Sequence, residues 1–347
     1  MRRLTSIHWS MYPLVLVFAV VSAIFVPYFA SPDNLRNIIE QSSVMAVLTA
    51  AEVLVLLTGR FDLSLEAIVG FAPMASATVV VMTGIPDVLG IPLAILIGAF
   101  VGFVNGFLIV KVHLQPFIAT LGMLVLLEGL MLVVSSGKAV YNTGQLNGLM
   151  ALGQFRLGGV LLATWVAVIV VAALALLARR HVFGRALYAI GGNEQATRAA
   201  GIKVDRTLWL VYIIAGATAA LAGVMLSGRL NSVPVNQGNG LIFDVFAAAV
   251  IGGVALDGGK GTVIGAMSGV LLLGIVNDLL TLASVSSYWV QATQGAIILI
   301  SMIVAAVVEI RRRRARRLRE AAAPSGGEPP AAPPADAEAS GALAARS

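Results

Sequence analysis

The chain has 347 residues, 59% of them hydrophobic and 12% charged, with a mean hydropathy of +0.93. Soluble domains carry roughly a quarter charged residues, so the composition excludes a soluble globular protein and indicates an integral membrane protein. A formal net charge of +6 would raise the question of a nucleic-acid partner in a soluble chain, but these cations flank apolar runs and read as orientation signals; no nucleic-acid partner is expected.

In chain order, apolar runs of about 17 to 25 residues, the length that crosses the hydrocarbon core, are drawn at 12–29, 38–58, 67–83, 91–110 and 117–134. Further runs follow at 160–178, 208–227, 243–256, 263–282 and 289–308. The expected fold is an all-α integral membrane protein of about ten transmembrane helices. Arg2 and Arg3 before the first run suggest a signal peptide, but Tyr28-Phe29-Ala30 lacks the small residue at −3 that cleavage prefers, so the run reads as an uncleaved span. The third and eighth runs are short or interrupted by Gly and Pro, and read as broken or re-entrant.

With the N-terminus inside, the inner loops collect Arg60, Lys111, Arg179, Arg180, Arg185, Arg198, Lys203, Arg206, Lys260 and the cluster at 311–319; the outer loops hold Arg36, Lys138, Arg156 and Arg229. That asymmetry implies cytoplasmic termini. The fourth run carries Gly98, Gly102 and Asn105, and the ninth Gly269, Gly274 and Asn277, in opposite directions across the membrane. This is the relation of inverted repeats, with chance similarity between two Gly-rich helices as the competing account.

The longest charged segment among these runs is 179–206. Asn193 is a good N-cap, Glu194 places a negative charge in the first turn, Arg198 lies toward the end, and Gly201 suits a left-handed C′ position. A helix of about two turns, marginal alone because nucleation is costly, needs a surface to dock on. It is either a surface helix lying on its own protein or the grip for a cytoplasmic partner.

Other polar features each admit two readings. Gly253 to Gly261 resembles a phosphate-binding loop but has Val254 where a Walker A motif needs Gly, and Gly261 where it needs Ser or Thr, so no ATP site is expected. It is a turn that packs backbones closely or an ordinary solvated one. The alternation in Gly59-Arg60-Phe61-Asp62-Leu63-Ser64-Leu65-Glu66 suggests extended chain lining a polar space, with Asp62 and Ser64 as path residues, or else a solvated loop. Glu52, Glu128 and Asp278 are intramembrane carboxylates, candidates for a proton relay or for hydrogen bonds to a polar solute, with structural pairing as the competing account; any one of them could carry protons in a stand-alone secondary transporter. Asn105 and Asn277 offer donors and an acceptor without a buried charge, which suits a path for hydroxylated solutes or an interhelical hydrogen bond. No catalytic residue is expected. The cluster at 311–319 reads as a stop-transfer and lipid-contact anchor, and the Ala/Pro-rich remainder as disordered.

The segment 183–206 resembles the cytoplasmic coupling loop of permease subunits in the ribose-type branch of bacterial ABC importers. Residues 58–66 resemble that family's G-G-I-D-L-S-V-G segment, and 244–265 resemble its A-A-x-V-I-G-G-x-x-L-x-G-G-K-G-x-x-x-G stretch; the likeness runs from about Asn34 to about Ile310. Arg60 and Glu66 stand where the family motif has glycine.

The resemblance implies a permease domain at 12–310 with its coupling loop at 179–206, between a cytoplasmic N-terminus at 1–11 and a basic anchor and tail at 311–347. Gly191, Gly192, Asn193, Glu194, Gln195, Ala196, Arg198 and Gly201 would seat in a cytoplasmic ABC ATPase. ATP-Mg would be bound by that ATPase and no cofactor by this chain. The other implied partners are an extracytoplasmic sugar-binding protein, a second permease copy or paralogue, and membrane lipid, all at the bacterial cytoplasmic membrane.

Overall fold

The computed structural model describes residues 11–285 and, beyond them, Trp289, Ala292, Gly295, Ala296, Leu299 and Ile303. Residues 1–10, the run at 289–308 as an element, the basic cluster at 311–319 and the tail lie outside the described residues.

The helices in chain order are α1 (Met11–Phe25), α2 (Pro32–Leu56), α3 (Ser64–Thr83), α4 (Gly90–Val110), α5 (Pro116–Ser135) and α6 (Asn147–Gln154). They continue with α7 (Leu162–Arg180), α8 (Val182–Gly192), α9 (Glu194–Ala199), α10 (Val204–Leu230), α11 (Leu241–Ile251) and α12 (Val263–Leu282). Among the described residues seven helices are long and apolar enough to cross a membrane, and α1 and α11 are shorter apolar helices. The protein is an all-α integral membrane protein.

Several boundaries differ from those drawn on hydropathy, each for a local reason. The first helix ends at Phe25 because Pro27 cannot supply an amide hydrogen, and the chain then turns through Tyr28 at φ 64. The third run, expected to be broken, is an unbroken 20-residue helix with Pro73 inside it. Pro73 leaves the carbonyl of Val69 without its helical donor, and Gln237 Nε2 donates to that oxygen at 2.9 Å. The eighth run shortens to the 11 residues of α11, since Gly252 and Gly253 (φ 85) end it and a non-helical lead at 234–240 precedes it. Within that lead Gln237 is buried and also donates to the Gly223 carbonyl at 3.1 Å.

The core is built on α2, α3 and α10, whose residues are mostly buried, while α4, α5 and α7 turn Phe100, Val125, Leu126, Val168 and Ile169 outward. Against α10, α4 presents Gly98, Gly102 and Gly106, one face at i, i+4 and i+8. A Cβ on Gly98 would meet the Gly216 carbonyl, one on Gly102 the Tyr212 carbonyl, and one on Gly106 the Trp209 ring, so the backbones approach as closely as small residues allow. Gly269 makes the equivalent approach to Ala248 of α11, whereas Gly274 faces Ser42 of α2. The two glycine runs of the sequence thus both make helix crossings, with different partners.

The connecting loops sort into two groups by their contacts. At the basic end, 57–63, 181–203 and 252–262 touch one another: Gly259 N–H donates to the Leu57 carbonyl at 2.9 Å, and the Tyr188 hydroxyl donates to the Gly261 carbonyl at 2.9 Å. At the other end, Val140 and Tyr141 pair with Val233 and Ser232, and Asn34 Nδ2 donates to Asp278 at 2.7 Å. Also there, Arg156 of a hairpin at 156–161 reaches the buried Glu40 of α2 at 2.7 Å. This division matches the one drawn from charge.

Candidate coupling site and transport path

The polar segment at 179–206 folds into two helices rather than one. In α8 the apolar positions Phe183, Leu187 and Ile190 recur at i, i+4 and i+7, and Leu187 and Ile190 are buried. The His181 side chain caps this helix, accepting from Phe183 N–H at 3.2 Å. Gly191 and Gly192 therefore close α8 instead of opening the docking helix.

Asn193 breaks the two helices apart and caps the second, its side chain accepting from Ala196 N–H at 2.9 Å. Helix α9 ends as its residues imply, with Gly201 at φ 79 in the left-handed region. Thr197 is its one buried residue, and Gln195, Ala196, Arg198 and Ala199 face outward.

Two ion pairs tie α9 to its neighbours and a third lies within it. Glu194 accepts from Arg60 at 3.0 Å and from Arg198 at 2.9 Å, and Arg198 also meets Asp205 of α10 at 2.6 Å. Burial pushes the Glu194 carboxyl up, but Arg198 and Arg60 outweigh it and hold the group below its ordinary value.

Beneath these pairs three chain segments meet through glycine. Gly191 lies so close to Leu57 and Gly259 that a Cβ would overlap the Leu57 carbonyl, and a Cβ on Gly59 would stand 3.0 Å from the Asp257 carbonyl. Between its two readings, the turn at 253–261 is thus the closely packed one. A solvated turn would not need Gly258 against both Gly59 and Gly191.

From Arg60 the chain passes directly into a buried polar cluster. The Phe61 carbonyl accepts from the Tyr212 hydroxyl at 3.3 Å, and Asp62 N–H donates to Glu52 Oε1 at 3.3 Å. Ser64 donates its hydroxyl to Asp62 Oδ1 at 2.6 Å and in turn accepts from Asn105 Nδ2 at 2.8 Å. Thr120 of α5 accepts from Leu63 N–H at 3.2 Å. Glu52, Asp62, Ser64 and Asn105 are completely buried, and among the described residues Glu52 Oε2, Asp62 Oδ2 and Asn105 Oδ1 have no donor. Burial pushes the Asp62 carboxyl up to about 6, against the hydrogen bonds from Ser64 that favour its charge.

Asp62, Ser64 and Asn105 are thus brought together, and Asn277 is not among them. Its neighbour Asp278 is tied to Asn34, at the opposite end of α2 from Glu52. Eighteen residues of α2 separate Asn34 from Glu52, about 27 Å at the helical rise. Asp278 therefore sits near the mouth of the bundle rather than deep in it, and Glu128 on α5 lies within electrostatic reach of Glu66 rather than of Glu52. Glu52, Glu128 and Asp278 are thus not gathered at one place.

The sequence reading missed Glu40, a charge inside an apparent span whose partner Arg156 is 116 residues away. It also left Glu66 without a role. Glu66 Oε2 accepts from Gly240 and Ile242 N–H groups, each at 3.1 Å, and so caps the start of α11.

The model of the family described as "Branched-chain amino acid transport system / permease component" matches residues 34–305. The chain belongs to this permease family. It is 36% identical over 297 residues to the ribose import permease protein of Escherichia coli (strain K12), covering 85% of this chain and 92% of the relative. It is 33% identical over 312 residues to the galactose/methyl galactoside import permease protein of the same strain, covering 84% and 92%. Against the L-arabinose transport system permease protein of that strain it is 33% identical over 298 residues, covering 85% and 90%. The likeness read from the three motifs therefore holds, and the permease is a multi-pass membrane component rather than an enzyme.

Proposed function

We propose that this permease is the membrane-spanning subunit of an ATP-driven ABC importer and forms the translocation path for a monosaccharide or similar polar solute. It lies in the bacterial cytoplasmic membrane with the basic end and both termini in the cytoplasm. A cytoplasmic ATPase, which binds ATP-Mg, docks on α9. An extracytoplasmic binding protein delivers the solute to the other end, and a second permease copy or paralogue completes the pore.

The observation that carries this reading is α9 itself. A helix of six residues is marginal alone, yet it is capped at both ends, held by Arg60 and Asp205, and leaves Gln195, Ala196 and Ala199 uncovered. A structural helix has no need of a pinned base beneath an open outer face; a handle does. The path runs by Asp62, Ser64 and Asn105, whose hydroxyl and amide groups match the donors and acceptors of a sugar. In this conformation they bond to one another, so the path is shut.

The test is purification of the tagged permease from its native membranes in mild detergent. A co-purifying ATPase and binding protein, with ATP-dependent uptake of D-ribose, D-galactose or L-arabinose by the reconstituted complex, is the expected result. Glu194→Lys and Gly201→Val should each abolish ATP-dependent uptake while the permease stays inserted. The first reverses charge at the helix start, and the second puts a β-branched residue at φ 79. Recovery of the permease alone, under conditions that keep control complexes intact, would overturn the reading.

A further inference from the structure

Arg60 and Glu66 carry charge where the resembled motif has glycine, and the structure uses both. Glu66 caps α11. Arg60 does something different, because it spans two parts of the machinery. Its side chain is 18% exposed and ends 3.0 Å from Glu194, while its backbone lies two residues before Asp62.

The contacts of α9 differ in what they can transmit. The glycine contacts of Gly191, the penultimate residue of α8, with Leu57 and Gly259 are backbone against backbone, and the Tyr188 hydroxyl ties α8 to the Gly261 carbonyl, so this side holds α8 to the turn at 253–261. The Arg198–Asp205 pair, about half exposed on both sides, leads only to the first turn of α10. The Arg60–Glu194 pair is better shielded and leads into the segment 57–63. There the next groups are the Phe61 carbonyl held by Tyr212, the Phe61 ring edge-on to Phe246 at 5.7 Å, and Asp62 bonded to Glu52 and Ser64.

The cluster at the far end of this route has more acceptors than donors: among the described residues Glu52 Oε2, Asp62 Oδ2 and Asn105 Oδ1 have no hydrogen-bond partner. A small displacement of segment 57–63 can hand the Ser64 hydroxyl or the Asn105 amide to a different oxygen without leaving more groups unpaired than before.

We propose that Arg60 is a positioning residue that draws segment 57–63 along with α9, so that movement of the docking helix rearranges the Glu52–Asp62–Ser64–Asn105 cluster. The inference rests on α9 as the docking helix. Pulled outward with a closing partner, Glu194 takes the guanidinium with it. Arg60 shifts Phe61 and Asp62, and the shut cluster opens toward solute.

The chain contains no cysteine, which permits a clean reporter. Phe61→Cys is introduced, the complex with its co-purified ATPase is reconstituted, and the rate of maleimide labelling is compared between the nucleotide-free and the ATP-vanadate-trapped states. With Arg60 in place the two rates should differ by roughly tenfold, the scale of one coupled ion pair. With Arg60→Ala the ATPase should still co-purify, but the two rates become equal. Arg60→Lys, which keeps the charge, restores part of the difference and guards against a folding defect. Asp205→Asn, which removes the other ion pair, leaves it intact.

A state-dependent rate that survives in Arg60→Ala, or is lost equally in Asp205→Asn, would overturn the proposal. So would equal rates in the Phe61→Cys reporter with Arg60 intact. Failure of the docking reading shows earlier and separately, as absence of an ATPase from the purified reporter protein.

Discussion

The α4–α10 seam and segment 57–63 solve opposite problems a few residues apart in the same bundle. Along the seam Gly98, Gly102 and Gly216 remove side chains until two backbones touch. At the segment, Asp62 and its neighbours Ser64 of α3, Glu52 of α2 and Asn105 of α4 are fully buried, with three acceptors unpaired among the described residues. A contact made by absence has one good geometry; a contact made by hydrogen bonds with spare acceptors has several. The seam is therefore the frame and the segment is the moving part.

Breaking the frame should have the largest effect. Gly102→Val forces side-chain atoms into the Tyr212 carbonyl and should cost about 3 kcal/mol or more, with loss of monodisperse protein on gel filtration. Gly122→Ala is the control, since a Cβ there meets nothing, and it should melt no lower than the parent. Equal behaviour of the two variants would remove the distinction between frame and moving part.

The moving part should respond to pH where the frame does not. Asp62 is held at about 6, above its ordinary 3.8, so the folded state binds its proton more tightly than the unfolded state. Stability from this group is lowest above about 6 and rises as pH falls through about 6 toward 3.8. Asp62→Asn should flatten that part of the melting-temperature profile between pH 7 and pH 5, conditions chosen to bracket the shift. An unchanged profile would mean that the buried carboxyl is not the titrating group.

The smallest expected effect lies outside both regions. Thr262 caps α12 by accepting from Gly265 N–H at 2.9 Å, and Thr262→Ala should cost about 1 kcal/mol, read as a small drop in melting temperature with uptake retained. A loss of uptake there would place the turn at 253–261 among the moving parts as well.

What could be read from the chain was local. Run length identified α2, α3, α4, α5, α7, α10 and α12, because a helix that crosses hydrocarbon must be continuously apolar. The Asn193 cap and the left-handed Gly201 were legible for the same reason, as both act within four residues. Helix α8 carried a readable signal at Phe183, Leu187 and Ile190, hidden among the arginines that flank it. The site was legible as residue types but not as an assembly. Arg60 and Glu194 are 134 residues apart, and nothing near Gln237 announces that it will serve the carbonyl freed by Pro73. The opposite error arose with Asp278, where depth was inferred from position along a run and the partner, Asn34, was 244 residues away.

That service by Gln237 has a mechanical consequence. Within the lead at 234–240 the buried Gln237 amide bonds to α3 through Val69 and to α10 through Gly223, while Asn236, Asn239 and Gly240 are exposed. Bending the lead breaks no helix, and its far end is the capped start of α11. The proline in α3 thus makes that helix dependent on an amide outside it, while Glu66 holds the other end of the lead at the start of α11.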